Sequence, residues 1–215
     1  MEKDTSRIEA FSDGIFAVAI TLLAIDLSVD IKGIESHHRL ETTTANELLK
    51  QLTNLWPKVF AYFNSFASVL LIWMSHHRIF KLLRTTNNRL ILSNGLLLLV
   101  IASIPFPTKT LGQFLGTEAQ KTAILFYIGY SVVIAGLFLY LLNVATSNKK
   151  NLFLENVSGE IIASIRKGLM MGFLLCIAIF IIAIFVPVIG LSLSFCMWIF
   201  WAVTSKDNTE RENLI

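Results

Sequence analysis

The chain has 215 residues, 54% of them hydrophobic and 15% charged, with a mean hydropathy of +0.66 and a formal net charge of +3. A soluble domain of this size carries nearer a quarter charged residues, so the composition excludes an ordinary soluble fold. A net charge this small also gives no electrostatic footprint for nucleic acid. Several apolar stretches reach the roughly 20 residues that cross a bilayer core as a helix, which predicts an all-α, multi-pass protein embedded in a lipid bilayer.

Hydropathy places six spans, running roughly over residues 8–29, 55–80, 90–111, 121–145, 161–186 and 188–204, in a single transmembrane domain covering 1–215. The first span starts after mixed charges, contains Asp13 and Asp26, and lacks a small-residue cleavage site, so it is not read as a cleavable signal. The polar link "KGIESHHRLETTTANELLK" follows it, where Thr44 or Asn46 can cap a short helix leading into the second span. The link "HHRIFKLLRTTNNR" holds Arg78, Lys81, Arg84 and Arg89 without an acid, and Lys149, Lys150, Arg166 and Lys167 gather between spans four and five. With six spans, both basic links and both termini fall on one side, which the excess of Lys and Arg marks as cytoplasmic. Pro105 and Pro107 can break the third span near its end, and Pro187 implies a tight hairpin between the last two or a kinked turn near the membrane surface. "NVS" at Asn156 matches a glycosylation acceptor but lies in a link read as cytoplasmic, so it is read as chance.

Cys176 and Cys196 sit in apolar segments as small hydrophobes, and neither a disulfide nor a metal site is expected of them. His76 and His77 are adjacent, so they point to different helix faces and make a poor metal pair. There is no nucleophile paired with a base, no Gly-rich phosphate loop and no pair of carboxylates within the spans. An enzyme is not expected, nor is a cofactor. The Thr-Val-Gly-Tyr-Gly loop of the familiar potassium filters is also absent.

The informative stretch is "RIEAFSDGIFAVAITLLAIDL", Arg7 to Leu27. At about 100° per residue, Val18, Leu22 and Ile25 line one stripe of a helix, and Phe11 and Arg7 extend it towards the start. Such a stripe is equally the mark of ordinary core or lipid contact. Ser12 and Asp13 point elsewhere, and polar groups within a span face the bundle or a water-filled path. Trp73 and His77, four residues apart near the end of span two, and Ser93 and Asn94 near the start of span three lie at the same depth. A cluster of Ser12, Asp13, Trp73, His77 and Asn94 would satisfy each polar group from the others.

"RIEAFSD" has the form RxxxFSD, and with "GIFAVAITLL" after it resembles the signature of the TMEM175 family of potassium channels. Length and span count resemble the prokaryotic members, which carry one six-helix unit per subunit. The resemblance implies a homotetrameric, potassium-selective leak channel of the cell (inner) membrane, with the first helix of each subunit lining the pore. It implies narrowings at rings of apolar side chains five, nine and twelve residues after the motif aspartate, here Val18, Leu22 and Ile25. Thr21 matches a position where a hydroxyl ring is tied to cation preference. Arg7, Phe11, Ser12 and Asp13 of the motif are implied, with Trp73, His77 and Asn94, as a structural network rather than ion ligands. The family's innermost ring is commonly Ile or Leu. Val18 is smaller, which shifts the expected tightest ring towards Leu22. A proton-permeable channel is one alternative, and a proton-coupled secondary transporter using Asp13 or His77 is the other. Against the transporter stands the lack of a visible inverted repeat. Asp26, near the outer end of the first span, is a candidate for concentrating cations at the mouth.

Overall fold

The computed structural model describes residues 5–25, 27, 44–147, 152–155 and 157–198. Asp26, Lys149, Lys150, Asn156 and the last part of the sixth predicted span lie outside the described residues. The helices in chain order are α1 (Thr5–Ile25), α2 (Ala45–Asn54), α3 (Trp56–Lys81), α4 (Asn88–Ala102), α5 (Pro105–Phe114), α6 (Gln120–Ser147), α7 (Gly159–Phe185) and α8 (Pro187–Trp198). Among the described residues five spans are long and apolar enough to cross a membrane, with α4 and α5 counted as one span of 27 residues. The sixth predicted span is represented by α8, a shorter apolar helix.

The spans take the form the sequence physics requires. Backbone groups in hydrocarbon have only each other for partners, so the apolar runs close their hydrogen bonds within helices. Thr44 caps α2 through a reciprocal box: its hydroxyl accepts from the Glu47 N–H at 3.3 Å, and the Glu47 carboxylate accepts from the Thr44 N–H at 2.8 Å. Between the two capping candidates, the structure selects Thr44. Pro57 occupies the first turn of α3, where a missing N–H leaves no bond unmade, and Arg78 and Lys81 sit in its last turn beside the carbonyl ends.

The third predicted span is not one straight helix. It breaks at Ser103–Ile104, because Pro105 lacks an N–H and its ring crowds the Ile101 carbonyl. Tight turns replace the lost ladder: Ile104 N–H reaches the Ile101 carbonyl at 3.1 Å, and Phe106 N–H reaches Ser103 at 3.0 Å. The Ser103 hydroxyl and the Tyr130 hydroxyl share a 2.7 Å hydrogen bond that ties the kink to α6. Gly116, with φ of +85°, then turns the chain into α6 in a conformation that suits glycine. At the other break, α7 folds directly onto α8 through Val186. A Cβ at Gly190 would fall 2.5 Å from the Ala183 Cβ and 2.8 Å from its Cα, so only glycine permits this hairpin to close.

Packing divides into two cores. The larger joins α1, α3, α4 and α6 through Phe16, Leu23, Val69, Leu97, Ile101 and Leu141. A smaller one, around Leu111, Ile124, Tyr127, Ile179 and Leu191, joins α5, α6, α7 and α8. Beside it Ser65, Thr108 and Tyr127 share hydroxyl hydrogen bonds of 2.7 and 2.9 Å, a polar tie between three helices where water has no access.

The two basic links meet at one end of the bundle. Leu83 and Phe153 form an isolated antiparallel bridge, with Arg84 N–H on the Leu152 carbonyl at 2.8 Å and Leu154 N–H on the Leu82 carbonyl at 3.0 Å. Leu152 and Phe153 are buried, so this link closes the floor of the larger core. The Arg84 guanidinium reaches the Glu155 carboxylate at 3.2 Å on the exposed outside of the bridge.

Candidate functional site

α1 has two faces. Ser12, Phe16, Ala19 and Leu23 recur at helical spacing and are buried against α3 and α4. The other face carries Phe11, Val18, Leu22 and Ile25, which are 63%, 56%, 41% and 68% exposed. The predicted stripe is therefore the side of α1 that no helix of its own chain covers. Phe11 belongs with this stripe and not with the polar side chains. Arg7 lies exposed in the first turn.

Behind the stripe the polar groups form two separate sets where one cluster was expected. The first is fully buried. The Asn94 amide donates to the Ser12 Oγ at 3.1 Å, and the Asn94 Oδ1 lies 2.8 Å from the His76 Nε2. Ser12 in turn donates to the Ile8 carbonyl of its own helix at 2.8 Å. With the Asn94 nitrogen committed to Ser12, its oxygen must accept, so the His76 proton sits on Nε2. The His76 ring is stacked on Phe80 with centroids 4.3 Å apart and meets Phe16 edge-on at 5.5 Å. The Ser12 hydroxyl, both ends of the Asn94 amide and the His76 Nε2 are thus paired in a place where an unmatched group would be costly.

The second set is nearer the surface of the subunit. The Trp73 indole N–H donates to the Asp13 Oδ1 at 2.8 Å, and His77 lies flat against Trp73 with ring centroids 5.6 Å apart. His77 thus supports the tryptophan, while His76 carries the contact with Asn94. Sequence reasoning missed His76. The available signal is the run Ser65, Val69, Ile72, His76 and Ile79, which follows a seven-residue repeat along one side of α3 and places His76 among core positions.

The Thr21 hydroxyl donates to the Val18 carbonyl at 2.9 Å and is exposed beside the stripe. Its proton is thereby committed to the helix, and its oxygen presents lone pairs outward. Chemically, α1 offers an apolar wall with one acceptor oxygen beside it, anchored from behind by two sets of hydrogen bonds. Among the described residues no three His, Cys, Asp or Glu side chains gather at a metal-binding distance.

The profile of a family described as endosomal/lysosomal potassium channel TMEM175 matches residues 7–105, a segment that takes in α1 from Arg7 onward and both polar sets. A crystal structure of a lysosomal potassium-selective channel TMEM175 homolog from Chamaesiphon minutus superposes with a TM-score of 0.78 at 33% identity, over 94% of this chain and 98% of that one. A protein from Chamaesiphon minutus named as a potassium channel is 40% identical over 137 residues, 64% of this chain and 64% of the relative. The human protein named endosomal/lysosomal proton channel TMEM175 is 32% identical over 108 residues, half of this chain. The matched segment spans 64% of the length of the first of these named relatives and 21% of the human one.

Proposed function

The chain belongs to the TMEM175 family, and on that premise we propose that it conducts potassium as a membrane channel whose pore is walled by α1. The observation that supports this reading is the exposed apolar stripe, held on the side of α1 opposite its intrachain contacts. One chain offers one stripe, so a pore walled by α1 alone takes several copies around an axis, four by resemblance to the prokaryotic members. The domain is a single unit with α8 as its sixth span, set in the cell (inner) membrane with the basic links and both termini on the cytoplasmic side.

In such an assembly Val18, Leu22 and Ile25 form three successive apolar rings over about 10 Å, at about 1.5 Å per residue. A bore this apolar and narrow sheds water and closes by dewetting when it narrows further. Potassium gives up its hydration more readily than sodium and so crosses such a bore at lower cost. Between the Val18 and Leu22 rings, the outward lone pairs of Thr21 offer acceptors to a cation and no proton to an anion. The two polar sets fix the rotation of α1 about its own axis, which is what keeps the stripe aimed at the centre. Asp13 and Ser12 serve in that fixing, with no part in ion contact.

Proton permeation is the second reading, favoured by the name of the human relative. Recording from the purified chain in planar bilayers separates the two. Unitary currents that reverse near the potassium equilibrium potential support the potassium channel. Reversal that follows the proton gradient supports the second reading, and saturating, strictly coupled flux without unitary steps marks a carrier and overturns both.

A further inference from the structure

A groove of about 620 Å³ opens between the start of α4 and the end of α6, at the end of the bundle where the basic links meet. Its upper rim carries Arg89, exposed in the first turn of α4, next to the positive end of the helix dipole. Tyr140, Asn143 and Ser147 face it from α6, and its lower wall is apolar, made by Leu92, Leu96 and Val144. Among the described residues no carboxylate lines it.

Two of the polar groups on the rim, Arg89 and Asn143, are left as donors towards the groove. Arg166 of α7 donates to the Asn143 Oδ1 at 2.6 Å and to the Thr146 Oγ1 at 3.0 Å. This occupies the acceptor oxygen of Asn143 and leaves its amide nitrogen for the groove, with a second guanidinium close behind. Ser147 donates to the Val144 carbonyl at 2.8 Å, so its proton is held by its own helix and not offered to the groove. None of this is used by α1 or by its two polar sets.

We propose that this groove binds one anionic phospholipid per subunit. The headgroup phosphate sits at Arg89 and the Asn143 amide, and an acyl chain descends along Leu92, Leu96 and Val144. Charge complementarity selects the occupant: the Arg89 guanidinium and the Asn143 amide, with Arg166 behind them and no acid among the described lining residues, suit a phosphodiester, and the apolar wall directly below suits its acyl chain. From Arg89 to Leu96 the wall runs about 10 Å along α4, enough for a headgroup and the first part of a chain. The site lies at a membrane-water boundary, where such lipids present their phosphates.

The test uses the purified full chain in mild detergent, titrated with phosphatidylglycerol or with phosphatidylcholine of the same acyl chains and read by native mass spectrometry. One phosphatidylglycerol per subunit is expected to remain bound under conditions that strip phosphatidylcholine. Arg89→Gln should weaken phosphatidylglycerol about 5- to 10-fold, the scale of one basic residue against an anionic headgroup. Leu96→Trp should weaken it with Arg89 intact by filling the acyl wall. Arg84→Gln, a basic residue of the same end already paired with Glu155, should leave it unchanged. Equal retention of the two lipids, an unaffected Arg89→Gln variant or an equal effect of Arg84→Gln overturns the proposal. Displacement of the lipid by inorganic phosphate assigns the rim to a free anion, and disulfide linkage between copies carrying Leu96→Cys assigns the groove to a second copy. Either result also overturns it. The readout involves no ion conduction, so its outcome is independent of the channel reading.

Discussion

The two faces of α1 differ in what surrounds them more than in what they are made of. Phe16, Ala19 and Leu23 on one side and Val18, Leu22 and Ile25 on the other are similarly apolar, yet the first set is sealed within the chain and the second is open. Polar anchoring explains the asymmetry. Ser12 bonds to Asn94, Asp13 accepts from Trp73, and both lie on the arc that turns towards α3 and α4. A helix with apolar residues on every side can rotate in a bilayer at little cost, because lipid and protein interior are equally apolar. Two hydrogen-bonded contacts remove that freedom and decide which apolar stripe is sealed within the chain and which is left open.

The comparison is broken most strongly on the sealed side. Phe16→Ala should destabilise the subunit by about 3–5 kcal/mol, the cost of a large aromatic lost from a packed core, read as a lowered midpoint of unfolding in detergent. Asn94→Leu should follow at about 1–3 kcal/mol, because it leaves the buried His76 Nε2 without its partner and takes from Ser12 the donor to its oxygen. On the open side Leu22→Ala should move stability by no more than about 0.5 kcal/mol. The same change should raise unitary conductance or lower potassium selectivity, so that stability and conduction separate by face. The smallest effect lies outside the bundle, at the α2 cap. The Thr44 N–H and hydroxyl hold the Glu47 carboxyl below its ordinary value. A depressed carboxyl contributes above its unfolded value, and that contribution is lost as pH falls through the folded one. Protection of the α2 amides, taken as exchange corrected for its intrinsic pH dependence, should fall as pH drops through the acid range in the native chain and stay flat in Glu47→Gln.

Spacing made the stripe legible, since Val18, Leu22 and Ile25 follow helical periodicity and the structure leaves that face uncovered. The pairing behind it was harder to read. His76 and His77 are neighbours of the same type, and the alignment of His77 with Trp73 at i, i+4 spacing drew attention from the longer repeat that buries His76. Both alignments are real, and only the packing of α3 and α4 on α1 decides which one meets Asn94. The break at Ser103 was visible in Pro105 and Pro107, whose chemistry acts locally. The buried bridge of Leu83 with Phe153 was not, because "NLFLENV" sits in a link between spans, and only the folded end of the bundle gives its apolar residues a place to go. Local rules fix helices, kinks and caps. Contacts between segments about 70 residues apart depend on how the helices meet.

The most direct test of the pore-facing role of the stripe is a cysteine scan of α1 read as block of conduction by a thiol reagent. Cys176 and Cys196 are first replaced by serine, and single cysteines are placed at 16, 18, 19, 22, 23 and 25. Block at 18, 22 and 25, with none at 16, 19 and 23, is the predicted pattern, following the exposed face residue by residue. Currents that persist after modification at 18, 22 and 25, or block confined to the buried face, would contradict a pore walled by this stripe.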